Sequence, residues 1–326
     1  MNVTGHLDRG ASSPLRLRFD VAVPFVSILT IIGLTSLATN ALIVLVLCKK
    51  WRTRKRYELF VLQSNLMDLL TTVITIPFWV LTAIHAKGNF EGGTVCRLNA
   101  SLCLMDILAP VMFLMLASAC RHTNTIRHEA SQRVFTEKRS FIMIILVWIV
   151  SILICLPQNL AWTPLPEVAC VPDLISNIWF TIYVFLFFFF LPLMAALYAH
   201  VFDIVLFQPK RMQDQAGTMY QFCKKQALVG EELEIQKSML TVLVVHSVCW
   251  LPYVLVAIAE NLLSVYSLDL GGVSLHFITL TTGLAGLSIK AVLYCFENPR
   301  VRGYVKELFG CADEVQEEED MELQQA

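Results

Sequence analysis

Seven apolar blocks divide the chain, at about 23–48, 57–84, 97–120, 140–163, 175–206, 238–263 and 271–296. Short polar stretches separate them. A bilayer's hydrocarbon core takes about 20 helical residues to cross, so every block is long enough. Within the bilayer no water is at hand to bond a bare N–H or C=O, which leaves only helices and closed barrels. None of the blocks alternates with the period of two that barrel strands need. The expectation is an all-α membrane protein, a seven-transmembrane helix bundle. Composition agrees: 16% of the residues are charged, against about 25% in an average soluble domain. No internal repeat is present. The first apolar run is followed by LCKKWRTRKR rather than by the small-residue cleavage site of a signal peptide.

Orientation follows from Lys and Arg, which accumulate on the cytoplasmic side of short loops. With the N-terminus outside, 19 of the 25 fall on the inner loops and tail, five fall outside, and Lys290 stands alone within a block. The expected address is a plasma membrane crossed several times. The basic residues are topological and give no reason to expect nucleic acid. The implied parts are an outer tail (1–22), the bundle (23–296), a short amphipathic eighth helix (297–311) and an acidic inner tail (312–326).

Seven of the ten cysteines (Cys48, Cys103, Cys120, Cys155, Cys223, Cys249 and Cys295) fall in blocks or on the inner side. Buried thiols there behave as small hydrophobes. Cys96 and Cys170 fall at outer ends, where a disulfide can form, and a bond between them would tie the top of the third helix to the second outer loop. Cys311 follows the amphipathic VRGYVKELFG, a context for S-palmitoylation or for an unmodified thiol.

Local strings make the class specific. SNLMDLL puts Asp68 in the second block and TIPFW follows at 75–79. Arg121 lies 25 residues after Cys96; Trp148 sits in the fourth block, Pro192 in the fifth, CWLPY at 249–253 in the sixth and LYCF at 293–296 in the seventh. The chain resembles a rhodopsin-like (class A) G-protein-coupled receptor over nearly its whole length. TIPFW and CWLPY are similar to the TLPFW and CWLPY of the chemokine and peptide-receptor branch. The resemblance implies G-protein coupling through Arg121, switch positions at Trp250, Pro252, His246, His200 and Tyr294, and ligand-facing positions at Trp79, Cys103 and Glu260. It implies no cofactor and no enzymatic activity, and the residues agree, because the histidines are scattered and form no nucleophile–base or metal constellation.

The departures from that family are pronounced. Its D-R-Y reads Cys120-Arg121-His122, so the acid that normally holds the arginine is missing, although Glu232 could hold it from across the bundle. Its N-P-x-x-Y reads Lys290-Ala291-Val292-Leu293-Tyr294. His200 stands where a fifth-helix Tyr is usual and His246 where a sixth-helix Phe is usual. Pro77 lies nine residues after Asp68, one more than in chemokine receptors, and one residue turns a helix face by about 100°, so Trp79 is expected to be displaced. The outer tail has no Tyr for sulfation. Asn2-Val3-Thr4 is a glycosylation sequon. Altered switches of this kind also occur in virus-encoded relatives. Two functions follow: a receptor for an extracellular peptide or chemokine-like ligand that activates heterotrimeric G proteins, with ligand-independent activity from an unrestrained Arg121, or a decoy that binds ligand and signals little.

Lys290 is the sharpest departure. A charge at mid-bilayer depth costs about 2.5–3.5 kcal/mol on insertion scales. In the family the second-helix Asp and polar groups of the third and seventh helices hold a sodium ion; the matching positions here are Asn40, Asp68, Asp106, Pro110 and Lys290. The ammonium can stand in for the ion beside Asp68. Pro110 has no N–H for the carbonyl of Asp106, which frees an acceptor nearby. The alternative is a side chain that snorkels to the inner surface, six residues before Phe296 or about 9 Å along the helix.

After Ser288 the chain has neither Ser nor Thr, yet seven acids lie between Asp313 and Glu322. Receptor-bound arrestin is recruited by phosphates that meet Lys and Arg clusters. These acids either present a standing, weaker version of that charge or form a solvated end. Deleting residues 313–326, or changing their acids to amides, is expected to lower arrestin recruitment and constitutive internalisation while G-protein signalling persists. Unchanged trafficking in both variants would leave the tail a solvated end.

Overall fold

A computed structural model describes residues 19–84, 94–126, 132–161, 193–195, 197–198, 219–264 and 273–310. Seven helices organise them: α1 Phe19–Lys49, α2 Arg56–Ile84, α3 Thr94–Ile126, α4 Glu137–Ala161, α5 Met219–Ser264, α6 Val273–Glu297 and the short α7 Pro299–Leu308. The first six are each long and apolar enough to cross a membrane. They correspond to the first four, the sixth and the seventh apolar blocks. Of the fifth block, only 193–195 and 197–198 are described; both pieces are helical, and Met194 and Tyr198 are buried in the common core.

Several helices, α1, α3 and α5 above all, outrun the apolar blocks that announced them. Hydropathy marks only the part that lies in lipid, whereas a helix continues wherever its residues tolerate one. The sequence expects the sixth span to start near 238, but α5 starts at Met219, because QFCKKQALVGEELEIQK is rich in good helix formers. α7 is bounded by local chemistry. Asn298 Oδ1 accepts from the backbone N–H of Arg300 and Val301, and Pro299 occupies the first turn. Gly310, at φ +69°, ends it in a conformation that suits glycine.

α3 is the central element. Its span is 78% buried, against 28% for α4 and 33% for α1, which places the latter two at the periphery. α2 packs on α1 and α3, α4 on α3, and α5 and α6 on each other, while α6 also returns to α1 and closes the bundle. Large apolar side chains left outside, such as Ile31, Leu34, Val73, Ile142, Ile145 and Val248, face the position of lipid.

α5 and α6 approach closely through glycine. A Cβ on Gly283 would lie 2.6 Å from the Trp250 ring, and one on Gly286 would lie 3.0 Å from Cys249 Cβ. Small residues of this kind let membrane helices come together. Trp250, fully buried, therefore rests its ring on the α6 backbone and meets Tyr253 edge-on at 5.8 Å. Gly283→Ala is expected to displace that ring and to destabilise the protein by about 1–3 kcal/mol, read as a lower thermal midpoint of the purified protein. At Gly230, where an added Cβ meets nothing within 4 Å, Ala should be neutral or stabilising.

Candidate functional site

Lys290 turns inward. Its Nζ lies 2.7 Å from Asp68 Oδ1 on α2, and both side chains are at most 3% exposed. Of the two conformations open from sequence, the internal pair is the one present, and the side chain does not reach for the inner surface. Nζ also stands 3.2 Å from His246 Nδ1 on α5, and His246 Nε2 stands 3.1 Å from the carbonyl oxygen of Ile107 on α3. A carbonyl only accepts and an ammonium only donates. The two partners therefore specify the neutral ring with its hydrogen on Nε2. The carbonyl that receives this cross-helix bond belongs to Ile107, one residue beyond the Asp106 carbonyl expected from Pro110.

A second chain of bonds ties α1 into the same centre. Thr72 Oγ1 donates to the Asp68 carbonyl at 2.7 Å, so its bond with Ser36 Oγ, also 2.7 Å, is donated by Ser36. Asn40 Nδ2 in turn donates to Ser36 Oγ and reaches the Leu287 carbonyl on α6 at 3.2 Å. Asp106, fully buried on α3, accepts from Thr71 at 3.2 Å and lies in the field of both Lys290 and Asp68. Asn40, Asp68, Asp106 and Lys290 are thus gathered, and His246 joins them. Sequence reasoning placed His246 among the switches and missed it as a lysine partner. Its one signal was a polar ring in an apolar helix.

A second charged layer lies at the end of the bundle that carries α7. Arg121 is 4% exposed and its guanidinium sits 4.7 Å from the centre of the Tyr57 ring on α2. Tyr198 and Tyr294 are buried close enough to feel its charge. Glu58, next to Tyr57 and 1% exposed, pairs with Arg300 Nε at 3.1 Å. Burial works against the charge on Arg300, but Glu58 together with Tyr304 and Tyr57 more than offsets it, and the guanidinium is held above its ordinary range. Asn298 Nδ2 donates to Ser238 Oγ on α5 at 3.2 Å, and Lys50 pairs with Glu307 at 2.6 Å. Tyr57, Glu58 and Arg300 were not foreseen, because a Tyr-Glu pair at a helix start and an Arg in a short polar segment are ordinary in themselves and nothing local marks them as partners of distant groups.

Trp79 and Cys103 are both fully buried and lie side by side between α2 and α3. Trp148 Nε1 donates to Gln63 on α2 at 3.0 Å. Cys170, His200, Asn2 and Cys311 lie outside the described residues, as do the side chains of Cys96, Glu232 and Glu260. Among the described residues no three His, Cys, Asp or Glu side chains converge as metal ligands would.

The profile of the 7 transmembrane receptor (rhodopsin family) matches residues 39–288. The chain belongs to this family. The receptor is 24% identical over 312 residues to the histamine H2 receptor of Canis lupus familiaris, covering 92% of this chain and 81% of that one. It is 26% identical over 244 residues to C-X-C chemokine receptor type 2 of Bos taurus, covering 72% and 61%. It is 26% identical over 144 residues to atypical chemokine receptor 4 of Homo sapiens, covering 44% and 40%. The matches thus span less than two thirds of both chemokine-type relatives. The family fold is a bundle of seven membrane helices, and six of them lie within the described residues.

Removing one partner of a buried ion pair costs about 3–5 kcal/mol, whereas replacing both can be nearly neutral. Lys290→Ala and Asp68→Asn are each expected to reduce surface expression and thermal stability of the receptor, and the double variant to recover much of the loss. Additive losses would show that the two do not act as a pair. With the ammonium in place, exchanging sodium for potassium should leave the thermal midpoint unchanged.

Proposed function

We propose that the receptor sits in the plasma membrane with its N-terminus outside, binds an extracellular peptide of the chemokine-like kind, and passes that event to heterotrimeric G proteins, with arrestin as a further inner partner. The observation that carries this reading is Arg121. It is kept, buried at the inner end of α3, in a chain that has lost the residues usual on either side of it. The peptide reading draws on TIPFW and CWLPY and on the similarity to a C-X-C chemokine receptor. In this reading Trp79, Cys103 and Trp250 form the floor of the ligand cavity, and Glu260 is an outer acid for a basic ligand. A Cys96–Cys170 disulfide, a glycan on Asn2 and an acyl chain on Cys311 belong to the same picture. A decoy role is the second reading. Similarity to atypical chemokine receptor 4 and Cys120 in place of the acid favour it.

The sequence leaves Arg121 without an adjacent acid, with Glu232 as an alternative holder across the bundle, and predicts elevated basal activity. The stacking of Arg121 on Tyr57 changes that expectation. A cation over an aromatic face is worth about 0.5–2 kcal/mol, or roughly a factor of 2–30 in a two-state equilibrium. Ligand-free nucleotide exchange on purified G proteins decides the matter. Tyr57→Leu is expected to raise basal exchange within that range, Tyr57→Phe to leave it near wild type, and Cys120→Asp to lower it. A receptor that stays silent in the Tyr57→Leu variant with every G-protein class, yet carries bound chemokine into cells, is a decoy.

A further inference from the structure

Beyond Glu297 the sequence has a single hydroxyl side chain, Tyr304. It is half-buried on α7, among charges drawn from three helices. Arg300, one turn earlier on the same face, donates from Nη2 to Tyr304 Oη at 2.7 Å. The same guanidinium turns Nε toward Glu58 Oε1 on α2, 3.1 Å away. Lys50, just past the end of α1, has its ammonium 5.6 Å from the centre of the Tyr304 ring and 2.6 Å from Glu307 Oε2. The neutral phenol thus lies between two cations, each of which already has a carboxylate of its own.

The two carboxylates differ in what losing a cation costs them. Glu58 is 1% exposed and would be stranded without Arg300, whereas Glu307 is 49% exposed and water can solvate it in place of Lys50. Arg300 has five N–H donors in a rigid fork. With Nε on Glu58 and Nη2 on Tyr304 Oη, it can meet a more negative group at that oxygen without leaving Glu58. Lys50 can turn from Glu307 to the same group. A phosphate on the ring oxygen is such a group, with nearly two negative charges and three acceptor oxygens. The wider field favours it, because Lys50 belongs to KKWRTRKR at 49–56, six basic residues in eight. α7 has ten residues, fewer than the roughly 12–15 at which an isolated helix is even marginal. It is held by Asn298–Ser238, Arg300–Glu58 and Lys50–Glu307. When these contacts open, the chain around Tyr304 loses its helix and an enzyme can surround the phenol.

We propose that Tyr304 is a phosphorylation site for a cytosolic tyrosine kinase, and that Arg300 and Lys50 hold the phosphate once α7 is docked. The assignment rests on the proposed orientation, which puts α7 on the cytoplasmic side. Tyr304 Oη attacks the γ-phosphorus of ATP, the new P–O bond replaces the bond to ADP, and the phenol proton passes to a base of the kinase. The phosphate is added to undocked α7. On redocking, Lys50 exchanges Glu307 for it, and one phosphate joins the end of α1 to Arg300 on α7. The mark requires no Ser or Thr, which this part of the chain lacks.

The test uses the full-length receptor in phosphatidylcholine nanodiscs. Both faces are open to enzyme there, so failure of the site and failure of the orientation are separate results. The receptor is incubated with magnesium ATP and each of a panel of purified cytosolic tyrosine kinases, and phosphotyrosine is located by mass spectrometry. The expected result is a phosphate on Tyr304 with at least one kinase. The labelled receptor is then exposed to a tyrosine phosphatase. A phosphate gripped by two cations is released slowly, and Lys50→Gln and Arg300→Lys should each release it several-fold faster. Lys50→Arg, which keeps the charge, should restore slow release. Lys49→Gln, an equal charge loss at the exposed neighbour, should release it at the wild-type rate. Thermal melts verify that each variant folds. No phosphate on Tyr304 with any kinase overturns the proposal. So does release at one common rate from wild type, Lys50→Gln and Arg300→Lys, by showing a tyrosine that is merely accessible.

Discussion

A charge in the middle of a bilayer must find its partner inside the protein, and the arrangement of this bundle follows from how Lys290 does so. Taking two ions out of water is expensive, and their attraction offsets the cost only when geometry is good and the remaining donors and acceptors are also satisfied. Here Asp68 takes one ammonium hydrogen and the His246 ring takes another. The second nitrogen of that ring is fixed by a carbonyl of α3. Through Thr72, Ser36 and Asn40 the network continues to α1 and returns to α6. Sliding any one of these helices by a single residue would turn its polar group by about 100° and leave a buried ion unmatched. The network therefore fixes register in a setting where apolar packing against lipid is nearly indifferent to it.

The α7 end of the bundle is arranged on the same logic with different groups. Arg121 and Arg300 are both drawn into the protein, one over the Tyr57 ring and the other against Glu58, two consecutive residues of α2. The first turns of α2 thus hold one cation from α3 and one from α7. Where the sequence has no carboxylate beside Arg121, an aromatic face from another helix stands against the guanidinium and attracts the cation without neutralising it.

How much of this was legible beforehand depends on whether the determining force is local. The blocks were legible because bilayer thickness imposes a length on each, and the Asp68–Lys290 pair because two opposite charges in apolar surroundings have few other choices. Helix ends were not, as α5 shows, since a polar helix beyond the membrane carries no hydropathy signal. His246 was read as the replacement for a Phe. Its role depends on the depth of Lys290 on another helix and on a carbonyl of a third, and no single segment encodes such a coincidence. Tyr57 and Glu58 were passed over for the same reason: a Tyr-Glu pair at the start of a helix is unremarkable until the cations arrive.

The length of α5 has a mechanical consequence. From Pro252, where a backbone bond is missing, the helix runs 33 residues back to Met219, or about 50 Å at 1.5 Å per residue. It is a lever with a soft point near one end. A tilt of one degree about that point moves the far tip by about 0.9 Å, on the same rise per residue. The Ser238–Asn298 bond acts on this lever from about 21 Å, less than halfway along it. One neutral hydrogen bond, worth about 1 kcal/mol, thus acts on a tip whose excursion is more than twice its own. On this geometry a small rotation at Pro252, beside Trp250, would displace the Met219 end of α5 much further than the residues near the pivot.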